Sequence, residues 1–495
     1  MESTRRLWPR PASLRGFSPL QADLQVDVAI VGGGVTGLTT ALLLAEAGKR
    51  VAVLESRELG AGVTGASTAH LTEAVDTRYH ELESKFGREG ARLVRASSRE
   101  AIETIAALSS NHDCGFQRLN GYLFTNDEQQ LAELDAELLA AERAGASVER
   151  SEVPLPMSIR GGISFANQAQ IQPLAYLAAL SERLSHTAAR IFEGVSMLDI
   201  DSSGPLRITT DVGASVIADS VVLATHAPFA KLSLQLKLSQ YRSYVVAGPG
   251  SGVVPGLCWD MQDPYHYVRS ATVDGRTYTI VGGGDHRTGQ APEGAPDEPY
   301  RDVDGFAARC GVQPEMRWSA QVVESADGLP FIGRPNPDEA LYLATGFGGN
   351  GMTFGTLGAM LLSDAILGRK NRFAELYRAS RLGPMSELGR VVTENLSTAA
   401  HLVADHLKPA ASEPLAELPI GVGRIVKDNG ERLAAYRDHD GRLHTVSCVC
   451  THQGCQVAFN PIERSWDCPC HGSRFDIDGR VLDGPATRPL EPRPR

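Results

Sequence analysis

Four residues near the C-terminal end have the types and spacing to hold iron: Cys450 and His452, then Cys468 and His471. They sit in two short stretches, Cys450-Thr-His452-Gln-Gly-Cys455 and Cys468-Pro-Cys470-His471-Gly-Ser473. Two thiolates can bind one iron of a [2Fe–2S] cluster and two neutral imidazoles the other, a set that moves electrons one at a time. Zinc competes for such a set. Its fingers, however, space their ligands C-x2–4-C and H-x3–5-H, and Cys450-x-His452 is too tight for that. A second signature lies near the other end, where Gly32-x-Gly34-x-x-Gly37 follows the β-branched run Val26–Val31. These glycines permit a tight turn, close approach of backbone N–H groups to a pyrophosphate, and close helix–strand packing. Glu55 ends the next strand-like run and is placed to accept hydrogen bonds from a ribose.

The two signatures constrain each other. Nicotinamide passes a hydride, two electrons at once, whereas an iron–sulfur cluster takes one. A flavin can do both, which favours FAD as the dinucleotide. A second glycine cluster, Val281-Gly-Gly-Gly-Asp285-His286-Arg287, has Arg287 where a third glycine is needed and no helical pattern after it. It reads as a strand-ending turn, so no NAD(P)H site is expected.

The elements that must position these groups follow from periodicity. Residues 26–31, 38–48 and 50–55 form a strand, helix, strand unit. Helical charged segments occupy roughly 80–112 and 127–145, and a further helix runs from Pro173 through about 186. Strand-like runs fall at 207–210, 215–217 and 220–224, and alternating strands at about 240–325. A helix is expected over about 352–367. Residues 398–417 read as a linker, and the turn pairs Asn429-Gly430, Asp440-Gly441 and Asp478-Gly479 mark a small all-β unit after it.

At 495 residues the chain is long enough for two or three domains. Its 42% hydrophobic and 22% charged residues suit a globular protein. A net charge of −11 argues against nucleic-acid binding, and no apolar run of spanning length is present. Arg5-Arg6 hints at a twin-arginine signal, but no apolar stretch follows before Asp23, so residues 1–25 read as a surface arm and the location as cytoplasmic. Five of the eight cysteines lie between Cys448 and Cys470, which is not a secreted disulfide framework.

Three further segments carry a resemblance. Gly60-Ala-Gly-Val-Thr64-Gly-Ala-Ser67 resembles a loop that passes along a flavin ring. Val195 resembles a residue on a strand whose backbone contacts adenine. Asp327–Gly333 with Leu343–Thr353 resembles a C-terminal flavin segment containing Gly348, Gly349, Asn350, Gly351 and Met352. With Gly32, Gly34, Gly37 and Glu55, these resemble the D-amino-acid oxidase-like family of FAD-dependent oxidoreductases. The cysteine and histidine stretches resemble the Rieske [2Fe–2S] family, particularly its high-potential branch from cytochrome bc complexes.

The resemblance implies an α/β FAD-binding Rossmann-like domain with an interleaved α+β substrate domain over 26–397, and a small all-β Rieske domain over 418–495. FAD pieces would come from 26–85, 150–230 and 322–372. It implies a disulfide between Cys455 and Cys470 tying the two cluster loops together, and a hydroxyl hydrogen bond from Ser473 to a cluster sulfur. Phe475 stands where that branch often has tyrosine, which implies a lowered potential.

The implied activity is hydride transfer from a C–H beside an amine nitrogen to flavin N5, with electrons then passing singly through the cluster to an acceptor protein or quinone. The substrate would be a small amine or amino-acid-like molecule. Arg269 could clamp its carboxylate and Tyr267 hydrogen-bond it, with His226 a further candidate; each could equally be structural. No arginine lies between Arg317 and Arg334, where the amino-acid oxidase branch places one. The alternatives are a flavoprotein fed electrons through the Rieske domain, or a redox sensor.

Overall fold

The run Leu24–Val31 is apolar and β-branched, and its last four residues are buried. Such a strand needs cover on both faces, which parallel neighbours with helical crossovers provide. The computed structural model, which describes residues 5–228, 232–235, 237–250, 252–290, 297–381 and 415–493, places it at the centre of an eight-stranded sheet. The order there is Phe331–Gly333, Leu341–Thr345, Ser215–Leu223, Leu24–Val31, Val51–Leu54, Arg190–Phe192. The four pairings from Leu341–Thr345 to Arg190–Phe192 are all parallel. Helix Val35–Glu46 crosses from the first strand to Val51–Leu54 and packs against Gly351–Ile366 and Pro173–Ser185.

A nine-stranded, largely antiparallel sheet forms the second layer. It includes Met316–Ser325, Leu238–Gly248, Arg276–Arg287, Tyr267–Val273, Gly256–Asp260, Gln117–Thr125 and Gly161–Gln170. The glycine cluster 282–284 lies inside the strand Arg276–Arg287, which corrects its reading as a strand-ending turn. The physical reason is packing. A Cβ on Gly282 would sit 2.2 Å from Tyr267 Cζ, and one on Gly283 would sit 2.5 Å from the Tyr265 carbonyl oxygen. The glycines make room for two tyrosines.

The N-terminal segment also differs from expectation. Leu7, Trp8, Leu14 and Leu20 are buried, so it is not a surface arm. Trp8 Nε1 donates to Ser67 O at 2.7 Å and Arg10 donates to Leu59 O at 2.9 Å, stapling the segment over the loop 59–67.

After residue 414 come a three-stranded sheet, Gly423–Asp428, Glu431–Arg437 and Leu443–Ser447, and a four-stranded one, Ala458–Asn460, Ser465–Asp467, Arg474–Phe475 and Val481–Asp483. Asn429 and Gly430 both adopt positive φ between strands that pair Asp428 with Glu431, the geometry a two-residue hairpin requires. Trp466, Phe475, Tyr436 and Leu490 form the core of this unit. Most of the expected linker, residues 398–414, lies outside the described residues.

Candidate functional site

At the C-terminal edge of the parallel sheet a cavity of about 870 Å³ opens. It is lined by Gly32, Gly34, Glu55, Thr64, Ser67, Val195, Gly348, Gly349, Asn350, Gly351 and Met352, which gathers every cofactor residue expected from sequence except Gly37. Gly37 works one turn deeper: a Cβ there would meet Gly32 O at 1.9 Å, so its absence lets helix Val35–Glu46 start against the turn. Glu55 accepts from the N–H of Gly33 at 2.8 Å and of Arg57 at 2.9 Å, and Thr64 Oγ1 accepts from Val35 N–H at 3.2 Å. Val195 lies in the turn between Arg190–Phe192 and Met197–Asp201 rather than on a strand, because its N–H is donated to Glu55 O at 2.9 Å.

The second helix N-terminus at the cavity is that of Gly351–Ile366. Gly348 N–H is taken by Val323 O and Asn350 N–H by Phe347 O, while Gly349 N–H is donated to Asp76. The donors that the helix itself cannot satisfy are therefore those of its first turn, beginning at Gly351 and Met352. Asn350 braces the loop, accepting from Asp76 N–H at 2.9 Å and donating to Thr72 Oγ1 at 3.2 Å. Two helix N-termini at one cavity, with an acid ending the second strand, suit an anionic dinucleotide.

The far end of the cavity is aromatic and acidic. Phe165, Trp259, Tyr265 and Tyr267 line it together with His70 and Asp76. Burial pushes the Asp76 carboxyl up to about 6, although it faces the open cavity, and Gly349 N–H opposes the rise. Burial also drives His70 down to about 3, so its imidazole is neutral. Tyr267 reaches the cavity with its hydroxyl 3.1 Å from Ser243 Oγ. His226 does too, its Nε2 3.1 Å from Gln321 O and its pKa lowered by burial to about 4.

Arg269 does not line the cavity. Its guanidinium donates to Gln170 Oε1 at 3.0 Å and Ile171 O at 3.1 Å and lies 5.2 Å over the Trp8 ring, so it braces the N-terminal segment instead of clamping a substrate. Among the arginines that do line the cavity, Arg78 is ion-paired with Glu133. Asp76 and His70 carry no motif; only the fold brings them here.

The four candidate iron ligands all lie in the small domain, as a thiol pair and an imidazole pair. Cys450 and Cys468 are buried and their thiols hydrogen-bond each other. That bond pulls the Cys450 thiol down to about 7, with help from the His452 N–H and the Ser473 hydroxyl. The rings of His452 and His471 lie edge to face, centroids 5.0 Å apart. Burial lowers both pKa values, keeping the imidazoles neutral as metal ligation requires. Cys455 and Cys470 form a disulfide, and Cys468 Sγ lies within 4.8 Å of both its sulfurs. With those two sulfurs bonded to each other and the Cys448 thiol donating to Arg432 O at 3.4 Å, Cys450 and Cys468 are the small-domain thiols left for a metal. Two thiols and two neutral imidazoles fit a [2Fe–2S] centre.

Known proteins match both domains. Residues 27–365 match the family described as FAD dependent oxidoreductase, and residues 412–494 match the Rieske [2Fe-2S] domain. The chain is 33% identical over 501 residues to a Bacillus subtilis (strain 168) protein provisionally named Rieske 2Fe-2S iron-sulfur protein YhfW, covering 99% of this chain and 97% of that one. It is 27% identical over 387 residues to the gamma-glutamylputrescine oxidoreductase of Escherichia coli (strain K12), covering 72% and 87%. The crystal structure of glycine oxidase from Geobacillus kaustophilus superposes with a TM-score of 0.63 at 19% identity, over 73% of this chain and 100% of that one.

Proposed function

This chain belongs to the FAD dependent oxidoreductase family and carries a Rieske [2Fe-2S] domain, and from that premise we propose that it is a dehydrogenase for a small amine. When bound, FAD supplies two-electron acceptance at a C–H beside nitrogen, and the cluster supplies one-electron transfer onward to an external acceptor. The turn 32–37, Glu55 and the loop 348–352 would hold the FAD, which would accept the hydride of a C–H beside nitrogen, and water would hydrolyse the imine product. The observation that carries the reading is that both domains wall one cavity: Val481 to Thr487 face it together with the glycine turn.

The chain's own residues bind and orient. Phe165, Trp259, Tyr265 and Tyr267 offer aromatic faces and Asp76 a carboxylate, a lining that attracts a cationic amine. Arg78 is committed to Glu133 and Arg269 to the N-terminal segment, so a substrate carboxylate has little to hold it at this end. His70 and Tyr267 pack edge to face with ring centroids 5.6 Å apart and line the same end of the cavity.

The test is anaerobic reduction of the whole protein by a panel of amines, followed by electron paramagnetic resonance. A substrate should bleach the flavin and then produce the reduced-cluster signal. A flavin that stays reduced beside a permanently oxidised cluster would overturn the proposal. In Cys450→Ser, turnover with a two-electron dye should persist while turnover with one-electron acceptors falls.

A further inference from the structure

The large domain does not close its own cofactor cavity. Part of the wall is the small-domain segment that leaves the strand Val481–Asp483 and runs through Gly484 to Thr487. This segment is fastened on two sides. Within the small domain, Ala486 N–H donates to Ser473 Oγ at 3.0 Å. Across the interface, the Gln321 side-chain amide donates to Gly472 O at 3.0 Å and Gly484 O at 3.3 Å. The contact is close enough to need glycine. A Cβ on Gly289, whose φ is +75°, would meet Pro469 N at 2.7 Å, and one on Gly472 would meet Gln240 Oε1 at 2.2 Å.

Beside it lies a buried latch of charge. Arg242 of the large domain and Arg474 of the small one share Glu463 and Asp483. One arginine from each domain, Arg57 and Arg480, lines the cavity, which suits an anionic dinucleotide.

We propose that segment 480–487 is a part of the FAD site supplied by the Rieske domain, so that FAD binding and domain docking stabilise each other. A ligand that meets an extra wall in the docked arrangement binds that arrangement better and shifts the population towards it. Whatever docking adds to FAD affinity, FAD must add to docking. The inference requires only that the family's cofactor occupies this cavity, and it holds for any substrate and for either direction of electron flow.

Two variants outside the cavity, Arg242→Ala and Glu463→Gln, test it in the full chain with its cluster in place. Apoprotein is titrated with FAD and flavin fluorescence gives Kd. Amide exchange across 480–487 is followed with and without FAD. The expected results are a Kd raised at least about tenfold in Arg242→Ala, equivalent to about 1.4 kcal/mol, a smaller rise in Glu463→Gln, and slower exchange of 480–487 in the parent protein once FAD is bound. A parent protein whose 480–487 exchange ignores FAD overturns the proposal. So does either variant that exchanges fast there yet keeps the parent Kd. If Arg242→Ala fails to fold, Glu463→Gln, which removes one charge at constant volume, gives the same reading. Neither measurement involves turnover, so failure to find an amine substrate leaves this result standing.

Discussion

Removing Arg242 measures how firmly the two domains are joined. Its side chain is 3% exposed and lies 3.0 Å from both Glu463 Oε2 and Asp483 Oδ2. Arg474 meets the same carboxylates at 2.8 and 3.0 Å, and Asp467 at 2.9 Å. Within ion-pair distance two positive charges therefore face three negative ones, and Arg242→Ala leaves one against three. Stripping one partner from a buried ion pair costs roughly 3–5 kcal/mol, against about 0–1 kcal/mol for an exposed pair. Asp483 retains some solvent, which points to the lower figure.

A loss of about 3 kcal/mol corresponds to opening on the order of a hundredfold more frequent, read as faster amide exchange of 480–487. The pH dependence has a definite sign. Burial alone would raise the Glu463 and Asp483 carboxyls, but Arg242 and then Arg474 reverse this and hold both below their ordinary range. Carboxyls depressed in this way contribute stability above their unfolded pKa of about 4, and lose it as pH falls through the lower folded values. The gap between parent and variant should be widest at neutral pH and narrow below about pH 4. A change under about fivefold at pH 7, or a gap that keeps its pH 7 size as pH falls well below about 4 after correction for intrinsic exchange, would refute the reasoning.

Gly37→Ala puts a methyl 1.9 Å from Gly32 O, a backbone atom that cannot step aside without reshaping the turn. A cost of about 1–3 kcal/mol or more should appear as flavin lost on purification and a lower melting temperature; full flavin content would contradict it. Cys455→Ser opens a crosslink with a sequence separation of 15, worth roughly 3 kcal/mol by chain entropy. The cluster absorbance should then bleach at a lower temperature in a thermal ramp, and an unchanged bleaching temperature would mean the crosslink adds nothing. With the Asp76 carboxyl near 6, kcat/KM for a cationic amine should climb as pH rises through that value and the carboxylate forms. Asp76→Asn should flatten that limb alone, and a limb that survives the substitution assigns it to another group.

What the sequence made legible were the sites whose chemistry dictates local backbone. The turn 32–37 needs glycine for reasons internal to one strand and one helix, and the two Cys–His stretches need only their own loops. Both therefore stand in the chain as short motifs, the turn at the cavity and the two stretches in the small domain. Arg269 misled because alternation along Tyr267–Val273 says that a side chain points inward, not what waits there. The answer lay in Trp8, far away in sequence, whose ring and segment cover that guanidinium. The glycines 282–284 misled in the same way, since their reason is the bulk of Tyr267 on a neighbouring strand. Asp76 and His70 are ordinary residues until the cavity forms around them.

The largest omission is the joint between the domains. Arg242 and Asp483 stand 241 positions apart, and neither belongs to a motif. Periodicity would assign both to solvent, because a buried charge is unfavourable unless its partner is known. Here both carboxylate partners of Arg242 sit in the other domain. A pairing that is stable only when both halves are present cannot be inferred from either half. It also gives the second domain a physical reason to remain covalently attached, independent of its cluster: Arg242, costly to bury alone, meets carboxylates only when the small domain brings Glu463 and Asp483 to it.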